Sequence, residues 1–188
     1  MNRVATADIA TRTQAFEEAA ARLRMSAAII EKDFWVCWLL GLLFGDSQAA
    51  DRFVFKGGTA LSKVFRVIQR FSEDIDLSLD PAVLGISEGE AGTLIGRRSA
   101  DRFMERLESL CCAWVSDDLM PRLNRAIGDI LGEPADHEQW LEYEADAESN
   151  SPVLYFHYPC HFPRDISYVR RVVKLEFGSL TDQRPTAR

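Results

Sequence analysis

Residues 53–80 read FVFKGGTALSKVFRVIQRFSEDIDLSLD, and this stretch decides the fold. A short apolar segment at 53–55 leads into two glycines at 57–58, and residues 59–66 then show the apolar spacing of a helix. Residues 74–80 alternate acidic or hydroxyl side chains with aliphatic ones, which is the period of a strand with one face in a core. The stretch therefore predicts a strand, a tight turn into a helix, and a second strand with a polar face.

Two features of this stretch suit the two halves of a metal-bound nucleoside triphosphate. Gly57 and Gly58 lead into a helix, whose free backbone N–H groups and positive dipole end favour a phosphate. Asp74 and Asp76 share one face of the second strand and offer the oxygen ligands that Mg²⁺ prefers. If the two strands lie side by side, the glycine turn faces the acidic pair and a nucleotide site results.

Other motifs fit the stretch less well. A calcium-binding EF-hand starting at Asp74 would have Leu79 where a glycine is required and Gly85 where a glutamate belongs. A phosphate-binding P-loop needs its lysine after the glycines, and the dinucleotide fingerprint G-x-G-x-x-G is absent. A metal-dependent glycosyltransferase also uses an Asp-x-Asp pair, but it does not account for the double glycine. A polar strand face paired with arginines stays open as the structural alternative for the two aspartates.

Four segments carry a resemblance to a known family. The sharp ones are KGGTAL at 56–61 and RFSEDIDL at 70–77, and IEKD at 30–33 and VKLE at 173–176 support them. Together they resemble the signature of the AbiEii/AbiGii-type toxin nucleotidyltransferases, a branch of the polymerase-β-like superfamily. The resemblance extends over about residues 15–180.

The resemblance implies a fold and a reaction. The expected fold class is α/β (α+β), a nucleotidyltransferase fold with a small mixed twisted sheet flanked by helices. The expected reaction moves a nucleotide from an NTP to a hydroxyl of an RNA, such as the 3′ end of a tRNA, or of a protein. Two Mg²⁺ ions about 3.5–4 Å apart would assist it, and a cognate antitoxin would silence it. A degenerate member that only binds nucleotide or a partner protein is the alternative.

Glu176 is expected to complete the site, because it lies on one face of a predicted last strand together with Lys174. The catalytic residues are predicted to be Asp74, Asp76, Glu176 and Lys174, with the three acids as metal ligands. The nucleotide-binding residues are predicted to be Lys56, Gly57, Gly58, Thr59 and Ser72. A surface charge stays open for the two lysines, and a helix cap or a turn stays open for the serine.

The whole chain, 1–188, is predicted to form a single nucleotidyltransferase-like domain. Its predicted parts are N-terminal helices at 13–44, the core motif at 53–80, a helical segment at 97–131 and C-terminal strands at 153–177. Three local expectations go with this division. Glu31 and Lys32 form a solvated face, with a role near the nucleotide as the alternative that the resemblance implies. Asp117 caps a helix, and residues 133–150 are acidic and poorly patterned. Relatives continue into a helical region with a further lysine and aspartate motif, which we expect this chain to lack.

Composition limits the class of protein. The formal net charge of −7 argues against a surface that coats nucleic acid broadly, although local basic patches remain possible. No apolar run reaches the ~20 residues that cross a bilayer, and the N-terminus has no secretory pattern. We therefore expect a cytoplasmic protein without a membrane partner. The candidates for a basic patch are Arg97 with Arg98, Arg164, and Arg170 with Arg171 and Lys174.

Overall fold

The computed structural model describes residues 1–45, 52–63, 74–87, 97–135, 137–146, 150–160 and 170–178. Its centre is a five-stranded sheet in the order β1-β2-β5-β4-β3. Strands β2 and β5 are parallel, and the other neighbouring pairs are antiparallel, so the sheet is mixed. The strands are β1 (Phe53–Lys56), β2 (Asp74–Leu79), β3 (Leu141–Ala145), β4 (Pro152–Phe156) and β5 (Val173–Gly178).

Helices accompany this sheet along the chain, which confirms the predicted α+β class. The helices are α1 (Asn2–Ala5), α2 (Ile9–Leu23), α3 (Ala27–Gly45), α4 (Gly57–Lys63), α5 (Arg97–Trp114) and α6 (Met120–Leu131). A 3-10 turn, Pro81–Leu84, follows β2. In the part of the chain that the structure describes, no helix is both long enough and apolar enough to cross a membrane.

The core lies on one face of the sheet, and the period-two pattern of the strands explains why. In β2, Ile75 and Leu79 have no exposed surface, and Leu77 is 3% exposed. In β5 the alternate residues 173, 175 and 177 are buried in the same way. The predicted burial of the aliphatic side of β2 is thus confirmed, and every polar side chain between these residues is directed to the opposite face.

Helix α3 packs against this core with its aromatic residues. The ring centroids of Trp35 and Trp38 lie 6.0 and 5.8 Å from that of Phe156 in β4. On another side of α3, the Phe34 ring lies 5.4 Å from Phe16 of α2. The helix is therefore covered on several sides, and its nearly uniform apolar composition explains why.

The same covering makes the expectation for Glu31 and Lys32 wrong. Glu31 is fully buried and Lys32 is 2% exposed, so neither forms a solvated face. The Glu31 carboxylate accepts a hydrogen bond from the Cys160 thiol over 3.1 Å. The packing of α2 and the residues after β4 around α3 encloses these charged side chains together with their apolar neighbours.

Two further local predictions are wrong. Asp117 caps no helix, because α5 continues through a π-helical turn, Val115–Leu119, into α6. Residues 133–150 contain the edge strand β3, which pairs with β4. Of the C-terminal strands predicted at 153–177, the last one, β5, begins at Val173.

Candidate active site

The polar face of the sheet carries two rows of charged side chains that cross neighbouring strands. In the first row, Lys56 of β1 lies beside Asp76 of β2, which lies beside Glu176 of β5. In the second row, Asp74 of β2 lies beside Lys174 of β5. The sheet therefore brings together five of the predicted site residues, although β2 and β5 are far apart in sequence.

The glycine turn touches this acidic cluster directly. Gly57 has a φ of +72°, in the left-handed region that favours glycine. A Cβ atom at Gly57 would overlap Asp76 Oδ2, so the carboxylate occupies the space that a side chain would need. The predicted arrangement, with the two strands side by side and the turn facing the acids, is present in the structure.

The carboxylates influence one another electrostatically. Burial raises the pKa of the Asp76 carboxyl, and the nearby charges of Glu176 and Asp74 raise it further, whereas Lys174 lowers it. Lys174 forms an ion pair with Glu176, and its hydrogen bond to that carboxylate raises the pKa of the lysine. The ionised form of Asp76 is thus less favoured at this position than in a free aspartate side chain.

The chemistry of these donors fits Mg²⁺, since three carboxylates of like charge share one polar face and a cation would relieve their repulsion. As the side chains stand, however, no cluster of three acidic, histidine or cysteine residues that could hold a metal ion is found in the described ranges. Glu176 is instead engaged with Lys174. Metal binding by all three acids would require Glu176 to exchange this lysine for the ion.

The predicted phosphate-binding residues differ in whether the structure leaves their groups available for a phosphate. Gly57 and Gly58 open α4, as predicted. Thr59 is fully buried, and its hydroxyl donates a hydrogen bond to the backbone carbonyl of Asp74, which fastens α4 to β2. Ser72 lies outside the described residues.

A cavity of about 350 Å³ opens over the first row of charges, and Lys56, Asp76 and Glu176 line it. Asp146 and Ser151, which flank the connection between β3 and β4, line the same cavity. Sequence reasoning missed both residues, because it predicted no strand within residues 133–150. The alternation of Leu141, Tyr143 and Ala145 with two glutamates was the signal that could have indicated one.

Comparison with known proteins agrees with this geometry. The sequence model of the family described as "Nucleotidyl transferase AbiEii toxin, Type IV TA system" matches residues 39–188, which is more than half of the chain. No curated protein and no solved structure gives a match. The matched range includes the glycine turn, the acidic strand β2 and Glu176. The chain therefore belongs to the AbiEii family of nucleotidyl transferase toxins of type IV toxin–antitoxin systems.

Proposed function

We propose that this chain transfers a nucleotide from an NTP to a hydroxyl group of an RNA, with a tRNA as the expected acceptor. Family membership supports a nucleotidyltransferase at the level of the reaction class, and it implies a cognate antitoxin as partner. The observation that carries the proposal for this chain is the placement of Asp76 between Lys56 and Glu176, with Gly57 packed against its carboxylate.

Each acidic residue has a proposed task. Asp74, Asp76 and Glu176 would hold Mg²⁺ on the polar face of the sheet, and bound Mg²⁺ lowers the pKa of an attacking hydroxyl and stabilises the leaving pyrophosphate. Asp76 is the central residue of the three, because it adjoins Glu176 across the strands and shares a strand face with Asp74. Lys174 would hold Glu176 in place until the metal and the nucleotide bind.

The phosphate groups have their own proposed contacts. The cavity beside the acids is lined by Lys56, whose ammonium group would neutralise part of the triphosphate charge. The backbone N–H groups of Gly57 and Gly58 would bind phosphate oxygens at the start of α4. Ser72 and Thr59 were predicted to assist, and for Thr59 the main-chain N–H is the proposed group because the hydroxyl already donates to Asp74.

The proposal is tested by transfer of label from each of the four NTPs to total tRNA in the presence of Mg²⁺. We expect Asp74→Asn and Asp76→Asn to reduce transfer by at least about a hundredfold, the scale of losing one electrostatic contact to a transition state. Asp80→Asn is the matched control, because Asp80 ends the same acidic stretch but accepts a hydrogen bond from Ala82 N–H over 2.9 Å. Transfer by both Asp74→Asn and Asp76→Asn at the wild-type rate would refute the proposal.

A chain that only binds nucleotide is the second candidate, and the engagement of Glu176 with Lys174 favours it. Titration calorimetry with each NTP and Mg²⁺ distinguishes the two functions when it is combined with the transfer assay. Binding with no transfer to tRNA or to any protein in the mixture supports the binding function. Transfer that depends on Asp76 supports the enzyme.

A further inference from the structure

A second and larger cavity, of about 1410 Å³, lies away from the acidic rows. It is bounded by the N-terminal residues, the segment after α6, the segment after β4 and the residues that precede β5. We call it the arginine cavity, because Arg12, Arg170 and Arg171 line it. Its volume exceeds the ~300–1,000 Å³ of ordinary small-molecule sites, so it has room for a nucleotide or for the end of a single-stranded RNA.

Arginines outnumber carboxylates among the residues that line the arginine cavity, in a chain whose net charge is −7. In the described part of the chain, Glu133 is the one carboxylate among its lining residues, against three guanidinium groups. Arg12 is 7% exposed, donates a hydrogen bond to the Ala5 carbonyl over 2.6 Å and lies over the Trp35 ring at 5.9 Å. These contacts fix the Arg12 guanidinium in the wall, where Glu31 and Asp8 act on it electrostatically, so Arg170 and Arg171 are the guanidinium groups considered for a phosphate.

The cavity also presents flat rings. His137 and His157 line it and stack with their ring centroids 4.1 Å apart. A hydrogen bond of 2.9 Å between His157 Nε2 and Glu142 Oε2 orients this pair. Stacked imidazoles beside guanidinium planes provide the surface on which unpaired bases stack.

Tyr155 lies next to the second row of charges, although it is not among the described residues that line either cavity. It lies beside Lys174 in the register of β4 and β5. Burial and the Glu144 carboxylate raise the pKa of the Tyr155 phenol, whereas Lys174 and Arg170 lower it. Arg170, which lines the arginine cavity, thus acts electrostatically on a residue next to the second row of charges.

We propose that the arginine cavity binds a phosphate group together with its base, from a free nucleotide or from the end of a single-stranded RNA. The guanidinium groups of Arg170 and Arg171 bind the phosphate, and the His137–His157 pair supports the base. If the ligand is an RNA end, the cavity would bind the RNA that accepts the nucleotide, and this assignment rests on the proposed transfer function. The binding itself does not depend on transfer.

The test measures binding of a fluorescent single-stranded RNA oligonucleotide by anisotropy, without Mg²⁺ or NTP, so a chain inactive in transfer can still be tested. We expect the double variant Arg170→Ala/Arg171→Ala to weaken binding by about tenfold or more, the effect of removing one charge-assisted hydrogen bond. The slope of log Kd against log salt should fall by about one for each phosphate group that the variant no longer binds. The matched control is Arg102→Ala/Arg125→Ala, two exposed arginines of α5 and α6 that do not line the cavity, which should bind as the wild type does.

Competition identifies the source of the phosphate. Displacement of the labelled RNA by AMP indicates that the cavity binds a free nucleotide. Displacement by unlabelled RNA but not by AMP indicates that it binds the end of an RNA. Either result supports the proposal. Wild-type affinity in the Arg170→Ala/Arg171→Ala variant overturns it, as does an equal loss in the control pair. Equal displacement by polyglutamate also overturns it, because the cavity would then select negative charge without a base.

Thermal unfolding checks the fold of each variant. If the double variant fails to fold, the single change Arg170→Gln, at an exposed position, replaces it.

Discussion

The carboxylate of Asp76 lies against the α-carbon of Gly57, at the place where any other residue would carry its side chain. This relationship couples the turn into α4 to the acidic strand β2. The turn needs a glycine for two separate reasons, the positive φ of +72° and the absence of space. A substitution at this position therefore disturbs the backbone and the candidate metal site together.

We predict that Gly57→Ala lowers the free energy of unfolding by about 1–3 kcal/mol from the backbone alone, and by more because Asp76 must move. Gly85→Ala is the matched control, since Gly85 has a φ of +74° but nothing within 4 Å of the position that a Cβ atom would take. Chemical denaturation measures the loss of unfolding free energy in each variant, and the difference between the two losses is the cost of the collision with Asp76. Equal losses of stability in the two variants would show that the contact with Asp76 has no energetic effect.

We predict that Asp76→Asn makes the protein more stable at neutral pH. The folded state raises the pKa of Asp76 above its ordinary value of 3.8, through burial and then Glu176 and Asp74. The native state therefore holds this proton more tightly than the unfolded state, and the stability of the wild type falls as the pH rises from 3.8 through the raised pKa. The advantage of the variant should be complete above that pKa and should vanish below 3.8.

Thermal unfolding over this pH range measures the effect. A gain of ~1 kcal/mol corresponds to about 2–4 °C in Tm for a protein of this size. Mg²⁺ should raise the Tm of the wild type and should have less effect on the variant, because a ligand stabilises the state that binds it. A variant less stable than the wild type at neutral pH would contradict the electrostatic account.

The alternation of residues in β2 was sufficient to predict which of its side chains enter the core and which form the polar face. The pairing of β2 with β5, which completes the site, could not be predicted from such a local pattern. Placing Asp76 beside Glu176 requires β5 to lie parallel to β2, and nothing local to either strand specifies which strand becomes its neighbour. The family resemblance and the face that it shares with Lys174 predicted Glu176 as a site residue, and the structure shows the strand register that places it beside Asp76.

The failed predictions have a common cause. Glu31 and Lys32 have the composition of a solvated helix face, and only the surrounding elements bury them. The strand β3 carries Glu142 and Glu144 on its polar side, which is typical of an edge strand, and these acids made the segment resemble a loop. In both places the tertiary surroundings outweighed the local preference.

We predict that Thr59→Val lowers the free energy of unfolding by about 1–3 kcal/mol, the cost of leaving a buried polar group without its hydrogen bond. The fully buried Thr59 hydroxyl donates to the Asp74 carbonyl, and valine keeps the shape but not the donor. Thr59→Ser is the control, because it keeps the hydroxyl. Chemical denaturation and NTP calorimetry together separate the two roles of Thr59: a stable valine variant with weak NTP binding would assign the hydroxyl to the phosphate instead.

Finally, we predict that Lys174→Met raises the pKa of Asp76 above its value in the wild type. The Lys174 ammonium group lowers the pKa of Asp76, and its removal leaves the repulsion from Glu176 and Asp74 unopposed. The pKa is measured from the carboxyl ¹³C chemical shift of Asp76 as the pH is changed. Lys174→Arg keeps the positive charge and should leave the titration close to that of the wild type. If Lys174→Met and Lys174→Arg titrate alike, the ion pair with Glu176 is electrostatically separate from Asp76, and the two rows of charges do not act as one site.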